Sequence, residues 1–136
     1  MKRIGIWMDK EKAQVVILGD EREKLYTVHS EMEFYHPKGG SGTRFKGGPQ
    51  DVVQDSKYLE REKQQLKAYF KKLVNVIEGA DVLVLFGPAE TAEKFRKELQ
   101  EHHKSLAAKI MTVAKADSMT ENQVKALVRD FYKTAT

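Results

Sequence analysis

The chain contains no cysteine, which excludes a disulfide framework, a thiolate zinc site and a cysteine nucleophile. It also lacks any apolar run near the roughly 20 residues needed to cross a bilayer. The N-terminus starts basic, but Asp9 arrives too early for the apolar core of a secretion signal. Cytoplasmic placement is therefore the default expectation, with no membrane involved. Acidic residues are missing from one long stretch, because no Asp or Glu lies between Glu33 and Asp51. A net charge of +4 is mild and does not by itself name a nucleic acid as partner. With 136 residues, 40% hydrophobic and 32% charged, the composition is that of a globular protein with one core, expected as a single domain over residues 1–136.

What is present is concentrated in the acid-free stretch. His36-Pro37-Lys38-Gly39-Gly40-Ser41-Gly42-Thr43-Arg44-Phe45-Lys46-Gly47-Gly48 holds five of the nine glycines, and its charges are Lys38, Arg44 and Lys46. Glycine loses the most backbone entropy on ordering, so this density argues against a helix or strand interior. The expectation is a long, basic, projecting loop at 36–50. One reading is a plain surface loop with incidental cations. The sharper one is a positive finger whose backbone closely approaches a phosphate-bearing partner.

Hydrophobic periodicity supplies the frame. Residues 3–8 read as a strand with Ile4, Ile6 and Met8 on one face, and Ala13–Leu18 as a β-branched second strand. Lys24–Phe34 alternates again, with Tyr26, Val28, Met32 and Phe34 sharing a face. The period then becomes helical over about residues 56–78, with Leu59, Leu66, Phe70, Leu73 and Ile77 inward and Gly79 placed to cap the end. Ala80–Phe86 is an apolar run suited to a strand buried on both faces, broken by Gly87-Pro88. Phe95, Leu99 and Leu106 line a second helix, and Lys109–Ala114 forms a short strand with Ile110, Met111 and Val113. Thr120-Glu121-Asn122-Gln123 has capping-box spacing and opens a last helix with Val124, Leu127, Val128 and Phe131 inward. The order β-β-β-α-β-α-β-α implies an α/β protein with a mixed five-stranded sheet of the ribonuclease-H-like kind.

That layout invites a metal-dependent nuclease, in which carboxylates hold divalent metals that activate water. Asp9 at the end of the first strand, Glu62 on the first helix and Glu90 after the fourth strand are the candidates. Each also has an ordinary explanation, Asp9 as a turn residue above all. His102 and His103 are adjacent and so diverge by about 100° on a helix, which suits a solvated helix end better than a shared metal. His29 and His36 have no orienting group for nucleophilic catalysis with Ser30 or Ser41. Gly87-Pro88-Ala89-Glu90-Thr91 follows a buried strand, a common ligand position, yet Pro88 lacks a donor and Glu90 would repel phosphate. No catalytic residue, metal ligand or cofactor is assigned.

The meander, the Gly-Gly loop and the strand ending in Gly-Pro resemble the middle domain of eukaryotic and archaeal class-1 peptide-chain release factors and its relative in Pelota ribosome-rescue proteins. In release factors the loop reads Gly-Gly-Gln-Ser-Ala-x-Arg-Phe and enters the peptidyl-transferase centre. Here Gly39-Gly40 is followed directly by Ser41-Gly42-Thr43-Arg44-Phe45, a match if the glutamine alone is lost. Gly87-Pro88 resembles the family's Gly-Pro-Gly-x-x-Lys, with Ala89 and Ala92 at the later positions. The chain is most similar to single-domain bacterial relatives described as translational machinery proteins.

The resemblance implies a ribonuclease-H-like fold and a stand-alone, translation-associated factor that meets ribosomal RNA or tRNA. Its RNA-binding residues would be His36, Lys38, Gly39, Gly40, Ser41, Arg44 and Lys46. Peptide release is not expected, because the glutamine that helps place water is missing. A metal-dependent nuclease, or a peptidyl-tRNA hydrolase using the same loop, is the alternative from the enzyme class.

Overall fold

Alternation of apolar residues drives Arg3–Met8 (β1), Lys12–Leu18 (β2) and Glu23–His29 (β3) into an antiparallel meander, with Ile6 opposite Val15 and Val16 opposite Leu25. The computed structural model describes residues 1–30, 48–88 and 90–135. Gly48–Ile77 (α1) crosses to Val82–Gly87 (β4), which pairs in parallel with β1. Thr91–His102 (α2) and the short Lys104–Ala107 (α3) lead to Ile110–Lys115 (β5), parallel to β4, and Glu121–Ala135 (α4) follows. The sheet order is β3-β2-β1-β4-β5. This is the expected mixed five-stranded α/β sheet.

The two faces of the sheet carry separate cores. Ile4, Ile6, Met8, Val15, Leu83 and Leu85 lie under Tyr69, Phe70, Leu73 and Ile77 of α1 and Phe95 and Leu99 of α2. On the reverse, Trp7, Val16, Val84 and Phe86 meet Val124, Val128 and Tyr132 of α4. β4 is thus apolar on both faces because helices cover both. Trp7 also fixes the β5–α4 connection, its indole N–H donating to the carbonyls of Ala116 (3.0 Å) and Asp117 (3.2 Å).

Local signals fixed the helix ends where they were strongest. Gly79 takes φ 85° after α1, the left-handed cap expected of glycine. Thr120 and Gln123 form the reciprocal capping box, with the Gln123 N–H donating to Thr120 Oγ1 (3.2 Å) and the Thr120 N–H to Gln123 Oε1 (2.9 Å).

Other expectations differ from the structure. α1 begins at Gly48, eight residues before 56, so residues 48–50 of the expected loop are helical. Pro49 suits a first turn, where its missing N–H costs nothing. Leu59 is 55% exposed rather than inward. β3 ends at His29, and residues 31–34 of the expected strand lie outside the described residues. Tyr26 is 43% exposed because β3 is an edge strand beyond the reach of α2. Leu106 is buried on α3, after the chain breaks at His103 (φ −141°, ψ 64°), rather than on a continuous second helix. Met111 is 47% exposed, since the β4–β5 register slips between Leu83 and Val84 and leaves it as the extra residue.

Two tyrosines tie helices to strand ends. The Tyr69 hydroxyl donates to the Asp9 carbonyl (3.0 Å) and the Tyr132 hydroxyl to the Ile4 carbonyl (2.6 Å). Burial pushes both phenols well above the ordinary tyrosine value, and the Asp9 charge adds to the effect on Tyr69. The folded chain therefore holds these protons more tightly than the unfolded chain. The resulting stability is complete below about pH 10 and falls as pH rises beyond it. Urea midpoints measured from pH 8 to pH 11 should stay level and then drop. The double substitution Tyr69→Phe, Tyr132→Phe should flatten that drop, and an unchanged alkaline slope would refute the assignment.

Candidate nucleic-acid interface

The glycine-rich segment as far as residue 47 lies outside the described residues, and with it His36, Lys38, Gly39, Gly40, Ser41, Arg44 and Lys46. The structure does place both of its anchors. The chain leaves β3 beside the β1–β2 hairpin, where the Ser30 N–H donates to the Glu11 carbonyl (2.9 Å) and Lys72 Nζ of α1 donates to the His29 carbonyl (3.2 Å). The described chain resumes at Gly48, the first residue of α1. The buried part of α1 starts at Tyr69, and residues 59–68 are exposed or half-buried. At 1.5 Å per residue, Gly48 stands about 30 Å along the helix from Tyr69. One anchor is therefore pinned to the sheet and the other is carried by a long helical arm.

The hairpin at the first anchor decides the role of Asp9. Its Oδ1 accepts from the N–H groups of Glu11 (2.8 Å) and Lys12 (2.9 Å), and its own N–H donates to the Lys12 carbonyl (3.0 Å). This carboxylate is a turn-closing side chain. Among the described residues, Asp9, Glu62 and Glu90 are not brought together as a metal-binding group. The nuclease geometry is accordingly absent among the described residues.

The Gly87-Pro88 turn is likewise structural. A Cβ on Gly87 would overlap the Met8 carbonyl oxygen, so glycine is needed for β4 to run this close to the end of β1. Glu90 occupies the N-cap of α2 without a side-chain cap bond, and Glu93 lies in the first turn. Two carboxylates there make the helix start unsuited to an anion.

Sequence reasoning weighed His102 with His103, set them aside as a shared metal site, and missed a different neighbourhood. Glu98, Glu101 and His102 each offer a ligand-type atom within 4.8 Å of the others. The spacing i, i+3, i+4 on one helix was the available signal. All three are exposed or half-buried side chains on one helix, an arrangement common at protein surfaces without a metal. The same acids edge a groove of about 420 Å³ between α1 and α2, floored by Leu66 and Phe70 and rimmed by Lys63, Lys67, Lys94 and Lys97. No helix among the described residues is long and apolar enough to cross a membrane.

Neither the protein-family models nor the curated proteins give a match to this chain. Solved structures do. The Pelota protein of Thermoplasma acidophilum aligns over 95% of this chain and 32% of its own, with a TM-score of 0.56 and 14% identity. An archaeal translation termination factor aligns over 98% of this chain and 39% of its own, with a TM-score of 0.55 and 9% identity. The chain shares their fold. It spans between about a third and two fifths of the length of either structure. At this level of identity the likeness is one of architecture, and the side chains of any site must be argued from this chain alone.

Proposed function

We propose that this chain is a translation-associated factor that binds ribosomal RNA or tRNA through the glycine-rich basic segment. The observation that carries the reading is the likeness, along nearly the whole chain, to a Pelota protein and to a translation termination factor. The segment with Gly39-Gly40 and Arg44-Phe45 falls between β3 and the long arm of α1, and it is free of acids. Lys38, Arg44 and Lys46 supply phosphate contacts, Arg44 in a bidentate manner, while Gly39 and Gly40 let the backbone approach closely. His36 and Ser41 add hydrogen bonds. No glutamine follows Gly40, so the role is binding rather than peptidyl-tRNA hydrolysis.

Cosedimentation with ribosomes across a salt series tests this. The native chain should bind at low salt, and changing Lys38, Arg44 and Lys46 together to alanine should abolish binding or reduce its salt slope by roughly one unit per charge. Gly39→Ala with Gly40→Ala should weaken binding with little change in melting temperature. A native chain that ignores ribosomes and RNA at low salt would sink the proposal.

A further inference from the structure

A second cationic site lies at the opposite end of β1. Arg3 opens this central strand, between Leu18 of β2 and Val82 of β4, and shares the α4 face with Gly5 and Trp7. Arg3 is half-buried: its Nε is shielded and has no hydrogen-bond partner, and no carboxylate pairs with Arg3 among the described residues, so its charge is met only by solvent or a ligand. Its charge is felt by the Tyr132 phenol, where it opposes the effect of burial.

Arg3 lines a cavity of about 400 Å³ with Leu18, Arg129, Asp130, Tyr132 and Lys133. The cavity's cations are Arg3, Arg129 and Lys133, set against Asp130 in the lining and the Glu23 that pairs with Arg129. Arg129 Nη1 is held by Glu23 Oε1 across the sheet (3.0 Å), which fixes its position while leaving other donors of its fork for a ligand. Leu18 and the ring of Tyr132 contribute apolar wall. The volume lies within the range of small-molecule sites.

We propose that this cavity binds a phosphate group, with Arg3 as its central donor and Arg129 and Lys133 as flanking cations. The group belongs either to a free nucleotide or to an RNA backbone. From Arg3 to Met8 the strand covers about 17 Å, so the site is separate from the hairpin where the glycine-rich segment is anchored. It does not depend on the proposed role of that segment.

The test is an NMR titration of the full chain with inorganic phosphate, with adenosine monophosphate and with a short RNA lacking terminal phosphates. The Arg3 Nε–H resonance should shift and saturate, and Arg3→Met should weaken binding about tenfold or more, the loss expected for one charge-assisted contact. Lys133→Gln should weaken it as well. Changing Lys38, Arg44 and Lys46 to alanine should leave phosphate binding unaltered. Tighter binding of the mononucleotide assigns the free-nucleotide source; saturation by RNA alone assigns the backbone. A melting experiment guards against a merely structural Arg3. Without anion, Arg3→Met should melt no lower than the native chain, and saturating phosphate should raise only the native midpoint. No saturable shift at Arg3 with any of the three probes overturns the proposal. So does phosphate affinity unchanged in both variants.

Discussion

Gly87→Ala should destabilise the protein by about 2 kcal/mol or more, the upper part of the range for overpacking a tight site. The added Cβ overlaps a carbonyl oxygen, that of Met8. A clash with backbone cannot be relieved by changing a rotamer. It must be relieved by separating β4 from the end of β1, yet the neighbouring pairs Ile6–Leu85 and Trp7–Phe86 hold those strands in register. The Gly87 carbonyl also accepts from the Ala116 N–H (2.9 Å), so the strain would reach the connection that Trp7 secures. Equilibrium urea unfolding measures the loss. If Gly87→Ala unfolds at the native midpoint, the close approach of β1 and β4 is wrong.

Gly5→Ala should be comparably costly for a different reason. Its Cβ would lie 2.5 and 2.7 Å from the two methyl carbons of Val128, so α4 would have to lift off the sheet. The obstacle is now a side chain, which makes the prediction reversible. Val128→Ala alone leaves a small cavity under α4 and should cost about 1–2 kcal/mol, less than deletion of a larger aliphatic side chain. Combined with Gly5→Ala it should restore much of the stability lost in the glycine variant. A coupling energy of at least about 1 kcal/mol in the double-mutant cycle is expected. Strict additivity would mean that Gly5 and Val128 do not oppose each other.

These two glycines show where sequence reasoning stops. Gly5 carries no distinguishing local pattern and Gly87 reads from sequence only as part of the Gly-Pro break, whereas the necessity of both comes from residues 123 and 79 positions away along the chain. Arg3 reads as one of several basic N-terminal residues until the sheet order places it in the central strand. Leu59 fits the apolar period of α1 perfectly well, but the helix outruns the sheet that would have covered it. The glutamate-histidine group on α2 was legible from spacing and was overlooked.

What the sequence determined by itself was whatever depends on neighbours within about four residues or on a simple period. The left-handed cap at Gly79, the Thr120–Gln123 box, the shared face of Ile4, Ile6 and Met8, and the two-faced apolar strand β4 all belong to that class. Their hydrogen bonds and side-chain directions are set by local backbone geometry. Only the tertiary structure decided that Met111 bulges outward and that Arg3, with no carboxylate of its own, stands beside Arg129 and Lys133. Those outcomes depend on strand register and on which helix residues meet which strand ends, which are fixed by packing between segments remote in sequence.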